Sequence, residues 1–598
     1  MKQSPESGRP RTLGGAARAR KRRSGDSALA AGNPLLQVRL PAWRSRLLLF
    51  GLFCGFVALA GRAFYLQGGV STQFLQRQGE ARYARTLDVA ATRGTITDRN
   101  GVVLASSVPA RGVWAIPDDV EAGKRDLAQL ARLLDVPSGE LRRRLADDRT
   151  FVYLKRQVEP GVAQRIESFN LAGIHTSREF RRLYPEGAIT AQLLGFTDVE
   201  DRGQDGIELA FERILGGRPG LRHLIKDRLG RAVEDDWVRE PIEGRDIRLS
   251  IDNRIQYIAF SALRAAVEAN QAQGGSIVVL DVESGEILAL TNWPSFDPAR
   301  RDRMEPQTLR NRAVTDTFEP GSTLKPFSIA TALEAGVVMP QSTVQTAPGS
   351  MRLGGHTITD TSSHGVLTVE QVLAKSSNVG TAKIALQLPA QALWDTLTAV
   401  GFGQAPHAGL TGAVTGRLRP PQSWRPIEQA TIAYGYGVSV SLLQLARAYL
   451  VFARDGDIVP VSVMRADSPA AAVPVLRPQT AQAVRRMLEL ATSDEGTAPS
   501  ARVSGYPVAG KTGTARKLRD GRYSDAYVAS FVGFAPASDA RVVIAVMIDE
   551  PHGGHYFGGD VAAPVFSQVA AGTLRALQIA PQAHALALAA TEAATEAR

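Results

Sequence analysis

A serine lies three residues before a lysine in the segment Glu319-Pro-Gly-Ser-Thr-Leu-Lys-Pro-Phe327. Residues three apart share one face of a helix, so Ser322 and Lys325 face the same way if a helix begins here. The preceding Pro-Gly pair predicts a turn that opens such a helix, and Pro326 is tolerated in the first helical turn. A serine becomes a nucleophile when a neighbouring amine, kept neutral by burial and by a second cation, takes its proton. The spacing therefore predicts a nucleophile and its base, although an isolated match is also compatible with an ordinary exposed helix start.

A second polar segment, Lys375-Ser-Ser-Asn-Val-Gly380, places a hydroxyl and a side-chain amide two residues apart. In this arrangement the Ser376 hydroxyl can relay a proton, and the Asn378 amide can hold a substrate carbonyl. Taken alone, the segment is equally typical of a polar turn.

The third segment, Lys511-Thr-Gly-Thr514, follows the apolar run 506–510 and is predicted to form a strand beside a cleft. Lys511 supplies the second cation, and the hydroxyls of Thr512 and Thr514 are suited to bind a carboxylate. Gly513 lets a ligand lie against the strand because glycine has no side chain. The three segments follow one another in this order, and together they predict nucleophilic catalysis by serine.

The elements that must hold these segments are predicted by apolar periodicity and turn signals. Asp252 is a predicted N-cap for a helix whose apolar residues recur at helical spacing. Residues 276–281 and 286–292 flank Ser284-Gly285 and predict a β-hairpin. Further strands at 527–534 and 541–548 and a closing helix at 561–577 indicate an α+β domain with an antiparallel sheet.

Residues 67 to about 240 are rich in arginine and show no catalytic constellation. Amphipathic stretches at 120–134 and 139–145 predict helices, and an Asn-Gly pair ending at Gly101 marks a turn. Elsewhere, His552-Gly-Gly-His555 has the spacing of a metal-binding pair, but it lies in a glycine-rich loop and lacks a third ligand. We therefore expect no metal and no other cofactor.

Composition limits the class of protein. A chain of 598 residues predicts two or more domains, and its single cysteine, Cys54, excludes an intrachain disulfide and a cysteine-ligated zinc. The net charge is +11, but residues 1–46 hold 11 Lys and Arg against two acidic residues, which accounts for +9 of it. Gly, Ala, Ser and Pro interrupt the charges of this basic tail, and its one aromatic residue, Trp43, lies near its end, so nucleic acid is not predicted as a partner.

An apolar run follows the basic tail. Residues 47–66, interrupted only by Arg62, are about as long as the roughly 20 residues that a membrane-spanning helix needs. The long side chain of this arginine can reach the membrane interface. Positive charge before the run predicts a cytoplasmic N-terminus and export of the rest of the chain. Because Ala58-Leu-Ala60 resembles a signal-peptidase site, cleavage of this segment is the alternative to a permanent anchor.

The three segments resemble the motif set of the penicillin-recognising serine enzymes: Ser-x-x-Lys, Ser-x-Asn and Lys-Thr-Gly. Over most of its length the chain is similar to the class B penicillin-binding proteins of the division-specific, septal type. This resemblance includes the basic tail and the apolar run, together with Arg93-Gly-Thr-Ile-Thr-Asp-Arg-Asn-Gly101, Arg182-Leu-Tyr-Pro-Glu-Gly187, Gly206-Ile-Glu208, Phe318-Glu-Pro-Gly-Ser-Thr-Leu-Lys-Pro-Phe327, Lys375-Ser-Ser-Asn-Val-Gly380, Tyr434-Gly-Tyr-Gly437 and Gly510-Lys-Thr-Gly-Thr514.

The resemblance implies an α+β fold with a serine β-lactamase-like transpeptidase domain, an elongated N-terminal pedestal domain and one transmembrane helix. The expected boundaries are a cytoplasmic tail at 1–46, a signal anchor at 47–66, the pedestal at 67–240, the transpeptidase domain at 245–577 and an Ala-rich tail at 578–598. It also implies a place in the inner (cytoplasmic) membrane, with the catalytic domain in the periplasm.

The reaction implied by the resemblance is the cross-linking of peptidoglycan stem peptides that end in D-Ala-D-Ala. Ser322 would be the nucleophile, Lys325 its base and Ser376 the proton relay to the leaving amine, while Asn378 would position the donor amide. Lys511, Thr512 and Thr514 would hold the terminal carboxylate, with Gly513 beside them. The backbone N–H groups of Ser322 and Thr514 would form the oxyanion hole.

The implied partners are stem peptides, β-lactams, the lipid bilayer, a membrane-embedded glycan polymerase and other division proteins. Two other classes of function share parts of this pattern. A D,D-carboxypeptidase or β-lactamase would deliver water to the same acyl-enzyme, and a division scaffold or β-lactam sensor would not turn over. Only three glutamates, Glu428, Glu489 and Glu495, lie between the second and third segments, and none is followed three positions later by asparagine, which disfavours a β-lactamase.

Overall fold

The computed structural model describes residues 42–67, 84–146, 149, 151–226, 232–300, 304–468 and 470–582. The chain divides into two compact units, residues 1–85 with 224–235, and residues 86–223 with 236–598. Most of the predicted basic tail and the end of the Ala-rich tail lie outside the described residues.

The first unit contains the helix Ala42–Gln67. It begins five residues before the predicted span and ends one residue after it. By length and composition, Ala42–Tyr65 is the one helix among the described residues that could cross a membrane. The guanidinium of Arg62 lies 5.9 Å from the centre of the Tyr65 ring, so the one charge inside the apolar run is close to an amphipathic aromatic side chain near the helix end.

In the second unit, the pedestal region is built around a five-stranded sheet. Its long central strand, Val103–Ala115, pairs antiparallel with Val152–Val158 on one side and with Ile174–Leu183 on the other. Ile96–Thr97 pairs with the central strand and, in parallel, with Ile247–Arg248. The helices of this region are Lys124–Leu133, Ser138–Leu145, Pro160–Ser168, Ala191–Leu194, Gly206–Ala210 and Glu212–Leu215.

Three further strands lie near these elements in the chain: Ala84–Val89, Gly220–Lys226 and Ala232–Arg239. The predicted amphipathic stretches 120–134 and 139–145 correspond to the helices Lys124–Leu133 and Ser138–Leu145. Leu130 and Leu141 from these helices are fully buried in one apolar cluster with Val113 and Leu154 of the sheet.

The second region of this unit contains a five-stranded antiparallel sheet. Its strands, in spatial order, are Ile287–Trp293, Gly274–Asp281, Val542–Asp549, Arg522–Ala535 and Ala509–Arg519. The predicted hairpin around Ser284-Gly285 and the two predicted late strands are confirmed. The strand Ala509–Arg519, hereafter the Lys511 strand, lies at the edge of the sheet, so one side of its backbone has no strand partner.

Helices cover both faces of this sheet. On one face lie Asn253–Ala269, whose predicted N-cap Asp252 accepts a hydrogen bond from the Arg254 N–H at 3.0 Å, and Ala563–Ala576. The closing helix predicted at 561–577 is therefore confirmed, but it starts later and follows a separate short helix, Gly558–Val561. The other helices are Pro306–Leu309, Arg312–Thr315, Lys325–Glu334, Val369–Ala374, Asn378–Ala385, Ala390–Ala399, Pro426–Ala433, Leu442–Ala453 and Pro478–Thr492.

The helical part also carries three two-stranded pairs: Thr343–Gln345 with Val366–Thr368, Ser350–Leu353 with His356–Thr359, and Asp457–Ile458 with Val473–Pro474. The largest apolar cluster joins the sheet to the buried helix Leu442–Ala453 and to the helix that begins at Lys325. The predicted α+β class is confirmed, and the core places Lys325 at the junction between the sheet and the helical part.

Candidate active site

Ser322 lies in a short 3-10 turn, Gly321–Leu324, hereafter the Ser322 turn, that leads directly into the helix Lys325–Glu334. Pro326 occupies the first turn of that helix, as predicted, where its missing N–H has no helical acceptor. Within the part of the chain that the structure describes, the Ser322 hydroxyl has no hydrogen-bond partner, and the side chain is only half-buried. The nucleophile candidate is thus accessible.

The Ser322 turn is held from two sides. The Gly321 N–H donates to the Gly435 carbonyl at 3.1 Å, and the buried Tyr449 hydroxyl donates to the Thr323 carbonyl at 2.7 Å. Gly435 has a φ of +90°, and a Cβ on it would lie 2.0 Å from the Gly321 oxygen. Only glycine allows this approach of the two backbones.

Lys325 connects the first and second motifs. Its ammonium nitrogen donates to the Ser376 hydroxyl at 3.1 Å and also to the Ser376 carbonyl. The lysine is fully buried, and Ser376 has a φ of +61°, in the left-handed region that serine rarely adopts. This unusual backbone presents both oxygens of Ser376 to the same nitrogen.

The turn that carries Ser376 is held by Asp360, a residue that the sequence analysis did not identify. One Asp360 oxygen accepts from the Ser377 hydroxyl at 2.6 Å, and the other accepts from the Val379 N–H at 2.9 Å. The predicted site residue Asn378 begins the helix Asn378–Ala385, and its amide donates to the Thr359 carbonyl at 2.8 Å. The predicted role of Asn378, positioning the donor amide, stays a prediction.

The third motif lies on the edge strand. The fully buried Lys511 donates to the Thr512 hydroxyl at 3.1 Å, and that hydroxyl lies 3.1 Å from the hydroxyl of Thr497. The Thr514 hydroxyl accepts from the Gly558 N–H at 3.0 Å. The Arg516 N–H points away from the neighbouring strand, toward the Tyr436 hydroxyl at 3.4 Å. Since the direction of N–H groups alternates along a strand, the Thr514 N–H faces the same open edge.

The packing of the protein also requires glycine at position 513, in addition to the predicted room for a ligand. A Cβ on Gly513 would lie 2.3 Å from the Ser530 hydroxyl and 2.9 Å from the Pro320 carbonyl. The glycine therefore lets the Lys511 strand pack closely against the residues that precede Ser322. The predicted contact of Gly513 with a ligand stays a prediction.

Burial lowers the pKa of both lysines. The pKa of Lys325 lies well below its usual value, first because of burial and then because of the nearby charge of Lys511, although Asp360 opposes this. Burial alone lowers the pKa of Lys511 to about 7. The lowered pKa favours the neutral form of Lys325, which a general base requires, and the amine contacts the Ser376 hydroxyl.

The structure therefore forms two hydrogen-bonded pairs, Lys325 with Ser376 and Lys511 with Thr512, and the charge of Lys511 acts on Lys325. Two supporting residues, Asp360 and Thr497, were missed because each is an isolated polar residue in an irregular segment. A single polar residue has no periodic signature, so no sequence signal distinguishes these two residues from ordinary turn residues.

Two family models match the chain. A penicillin binding protein transpeptidase domain matches residues 275–571, and a penicillin-binding protein dimerisation domain matches residues 88–249. The domain boundaries expected at 240 and 245 remain predictions.

Named relatives cover nearly the full length. The chain is 42% identical over 533 residues to the probable peptidoglycan D,D-transpeptidase PenA of Neisseria gonorrhoeae, which covers 88% of this chain and 91% of the relative. It is 41% identical over 555 residues to the peptidoglycan D,D-transpeptidase FtsI of Escherichia coli K12, covering 91% and 93%.

Two solved structures are also similar. The transpeptidase domain of Burkholderia pseudomallei penicillin-binding protein 3 shares 48% identity with a TM-score of 0.52, covering 56% of this chain and 97% of that one. A peptidoglycan synthetase from Bifidobacterium adolescentis shares 25% identity with a TM-score of 0.67, covering 83% and 97%.

Proposed function

This chain belongs to the penicillin-binding protein family of peptidoglycan D,D-transpeptidases, and we propose that Ser322 is the nucleophile of its reaction. The protein is a serine-type transpeptidase that acts on peptidoglycan and binds β-lactams. The single observation that supports the assignment of Ser322 is the buried Lys325 amine, which begins the helix that directly follows the Ser322 turn and contacts Ser376.

In the first half-reaction, the Ser322 oxygen attacks the carbonyl carbon of the penultimate D-Ala of a stem peptide. The neutral Lys325 amine takes the hydroxyl proton, and Ser376 carries a proton to the nitrogen of the departing D-Ala. The carbon–nitrogen bond breaks, and an ester to Ser322 remains. The N–H groups of Ser322 and Thr514 stabilise the oxyanion, because the Thr514 N–H faces the open strand edge.

Lys511, with Thr512 and Thr514, binds the terminal carboxylate of the donor. A carboxylate placed beside the Lys511 amine raises the pKa of that amine, so binding strengthens the charge that holds the substrate. The same charge keeps Lys325 neutral. Asn378 is proposed to position the donor amide.

In the second half-reaction, the amine of a neighbouring stem peptide attacks the ester carbonyl. Its proton passes to Lys325, the Ser322 oxygen leaves and is reprotonated, and the new amide is the cross-link. Transfer to an amine distinguishes this enzyme from a carboxypeptidase or a β-lactamase, which transfer the same acyl group to water.

The test of this assignment is covalent labelling with a fluorescent penicillin, followed by peptide mapping. We expect one adduct, on Ser322, in the parent protein, and none in Ser322→Ala. Ser328→Ala is the matched control, because Ser328 lies on the helix that begins at Lys325 and its hydroxyl donates to the Ala433 carbonyl. An adduct on a serine other than Ser322 overturns the assignment.

We further propose that the protein acts at the division septum, with a membrane-embedded glycan polymerase and other division proteins as partners. This rests on the FtsI name of relatives that are 41% identical. We propose that Ala42–Tyr65 anchors the protein in the lipid bilayer. Because the positive charge of the tail stays on the cytoplasmic side, the N-terminus would lie in the cytoplasm and the catalytic domain in the periplasm.

Fusions of an export-dependent reporter test this orientation. A reporter joined after residue 70 should be active outside the cytoplasm, and one joined at the N-terminus should not. N-terminal sequencing of the membrane-bound protein separates an anchor from a cleaved leader, since cleavage after Ala60 would give a chain beginning at Gly61.

A further inference from the structure

Lys375, the first residue of the second motif, reaches across to a loop beside the third motif. It is the C-cap of the helix Val369–Ala374, and its backbone N–H donates to the Gln371 carbonyl at 2.8 Å. Its side-chain nitrogen donates to the Glu495 carbonyl at 2.6 Å, although the two residues are 120 positions apart. Neither half-reaction uses this lysine.

Glu495 belongs to residues 493–498, hereafter the Thr497 loop, which follow the helix Pro478–Thr492. A Cβ on Gly496 would lie 2.2 Å from the Ala491 carbonyl oxygen, so the loop passes close to the end of that helix. The Glu495 side chain itself is exposed. An exposed loop has few packing contacts that restrain it, so a hydrogen bond from a lysine to its backbone restricts where it lies.

The Thr497 loop brings one hydroxyl to the third motif. The Thr497 hydroxyl lies 3.1 Å from that of Thr512, which accepts from Lys511 at 3.1 Å. A threonine hydroxyl has two acceptor positions and one hydrogen. When Thr497 and Lys511 both donate to the Thr512 oxygen, its acceptor positions are filled and its own hydrogen is left for a ligand. Thr512 is then oriented in advance as a donor to an anion.

The helices at the two ends of this contact, Val369–Ala374 and Pro478–Thr492, pack against each other. Val372 from the first and Met487 from the second are fully buried in the same apolar cluster. The packed core therefore fixes the helices without help from Lys375. The hydrogen bond of Lys375 acts on the exposed loop that follows the second helix.

We propose that Lys375 is a positioning residue for recognition of the donor's carboxylate, because its hold on the Glu495 carbonyl keeps the Thr497 hydroxyl against Thr512. This inference rests on the proposed function, in which Thr512 and its neighbours on the Lys511 strand bind that carboxylate. In this role Lys375 does not touch the substrate. It joins the turn of the second motif to the carboxylate site of the third.

The experiment measures two second-order rates of acylation at Ser322 for each variant, one with penicillin and one with its methyl ester. Both rates are followed by the loss of sites for a fluorescent penicillin. The ester has no carboxylate, so the ratio of the rates reports carboxylate recognition and cancels a general loss of activity. The purified full-length protein is used in detergent below pH 7, because the pKa of Lys511 is about 7.

Lys375→Gln should lower this ratio about tenfold, as the loss of one coupled contact predicts. Lys375→Arg keeps a long cationic donor and should retain most of the ratio. Lys383→Gln is the matched control, because Lys383 also donates to a backbone carbonyl at 2.6 Å, that of Gln345, on a different segment. The control should leave the ratio unchanged.

A second variant tests whether Lys375 acts through Thr497. Thr497→Val removes the hydroxyl, keeps the shape of the side chain and should lower the ratio by a similar factor. The double variant Lys375→Gln/Thr497→Val should then have the same ratio as Thr497→Val alone. A lysine at the C-terminus of a helix also stabilises that helix by its charge. Loss of that contribution alone would lower both rates together and leave the ratio unchanged.

An unchanged ratio in Lys375→Gln, with a ratio well above one in the parent protein, overturns the proposal. So does a double variant in which the two single losses multiply. A ratio near one in the parent protein is a different result, because it contradicts the proposed carboxylate site as well as this inference. An adduct on a serine other than Ser322 contradicts the proposed function itself.

Discussion

The Lys325 side-chain nitrogen lies 3.1 Å from the Ser376 hydroxyl and also binds the carbonyl of the same residue. Two motifs that are 51 residues apart are thereby joined at one nitrogen. The positive φ of Ser376 directs both of its oxygens toward the Lys325 nitrogen. The Asp360 carboxylate holds the turn that carries Ser376 by accepting from the Ser377 hydroxyl. The proton acceptor is therefore positioned by a network outside its own helix.

Replacing each lysine by arginine separates their roles. Arginine cannot deprotonate in a protein, so Lys325→Arg should lose acylation by penicillin by roughly a thousandfold or more. Lys511→Arg keeps a positive charge beside Thr512 and should retain measurable acylation. The second-order rate of labelling checks this, with circular dichroism as the control for folding. Rapid acylation by Lys325→Arg together with an inactive Lys511→Arg would reverse the proposed roles.

The pH dependence of acylation follows from the lowered pKa values of the same lysines. Lys325 must be neutral, so the second-order rate with penicillin should rise with pH through its lowered pKa. The pKa of Lys511 is about 7, so the free enzyme loses the carboxylate-binding charge above that pH, and the rate should fall.

A penicillin methyl ester provides the matched ligand for this profile. It has no carboxylate, so its acylation rate should show the rise with pH but not the decline above about pH 7. Identical declines for the two ligands would show that Lys511 does not act through the carboxylate.

Asp360 is predicted to support catalysis without touching the substrate. Asp360→Ala removes the acceptor for both the Ser377 hydroxyl and the Val379 N–H, which should reduce acylation by roughly ten- to a hundredfold. Asp360→Asn keeps one acceptor and should lie between this variant and the parent. Asp395→Ala, on an exposed helical surface, is the control. Equal rates in Asp360→Ala and Asp395→Ala would contradict a positioning role.

The parts of this architecture that could be predicted from sequence are local. The hairpin around Gly285 and the cap at Asp252 follow from residues that are near one another in the chain. The helix that begins just after Ser322 follows in the same way from the Pro-Gly pair and from Pro326. Periodicity and turn chemistry determine these features without knowledge of the tertiary fold.

The parts that could not be predicted depend on contacts between distant residues. Tyr449 supports the Ser322 turn from 126 residues away, and Asp360 reaches Ser377 from a separate hairpin. From the sequence, the glycine at position 513 is explained by room for a ligand. The packing of Ser530 and Pro320 against this position also requires a glycine there. A polar residue in an irregular segment looks the same in sequence whether or not such a partner exists.

The buried charge cluster of the pedestal region predicts a large effect on stability. Glu208 is fully buried and accepts from Arg93 at 2.6 Å and from Arg182 at 2.7 Å. Glu208→Gln leaves two buried guanidinium groups without their shared countercharge, which should cost about 3–5 kcal/mol of unfolding free energy. Denaturant unfolding measures this. Glu212→Gln, whose side chain is 35% exposed, should cost about 1 kcal/mol or less.

A comparable loss in the two glutamate variants would contradict the importance of burial, since both carboxylates bind Arg93. The difference between them isolates the cost of an uncompensated charge in the interior.

Gly435 is predicted to be the backbone residue on which the nucleophile's position depends most. It has a φ of +90°, and a Cβ would lie 2.0 Å from the Gly321 oxygen, so Gly435→Ala must displace the Ser322 turn. The three Gly321 atoms that this Cβ would meet belong to the backbone and cannot move aside as a flexible side chain can. We expect this variant to lose about 3 kcal/mol or more of unfolding free energy and most of its penicillin acylation.

Gly336→Ala is the matched control for backbone strain. Gly336 has a φ of +66° and nothing within 4 Å of its Cβ position, so its substitution carries the cost of the left-handed conformation without a collision. That cost should be about 1 kcal/mol. If Gly435→Ala unfolded and acylated like Gly336→Ala, the contact between Gly435 and Gly321 would not position Ser322. A much larger loss in Gly435→Ala would show that the loss comes from the close approach of the two backbones. This approach places the Tyr434-Gly-Tyr-Gly437 segment against Gly321, the residue before the nucleophile.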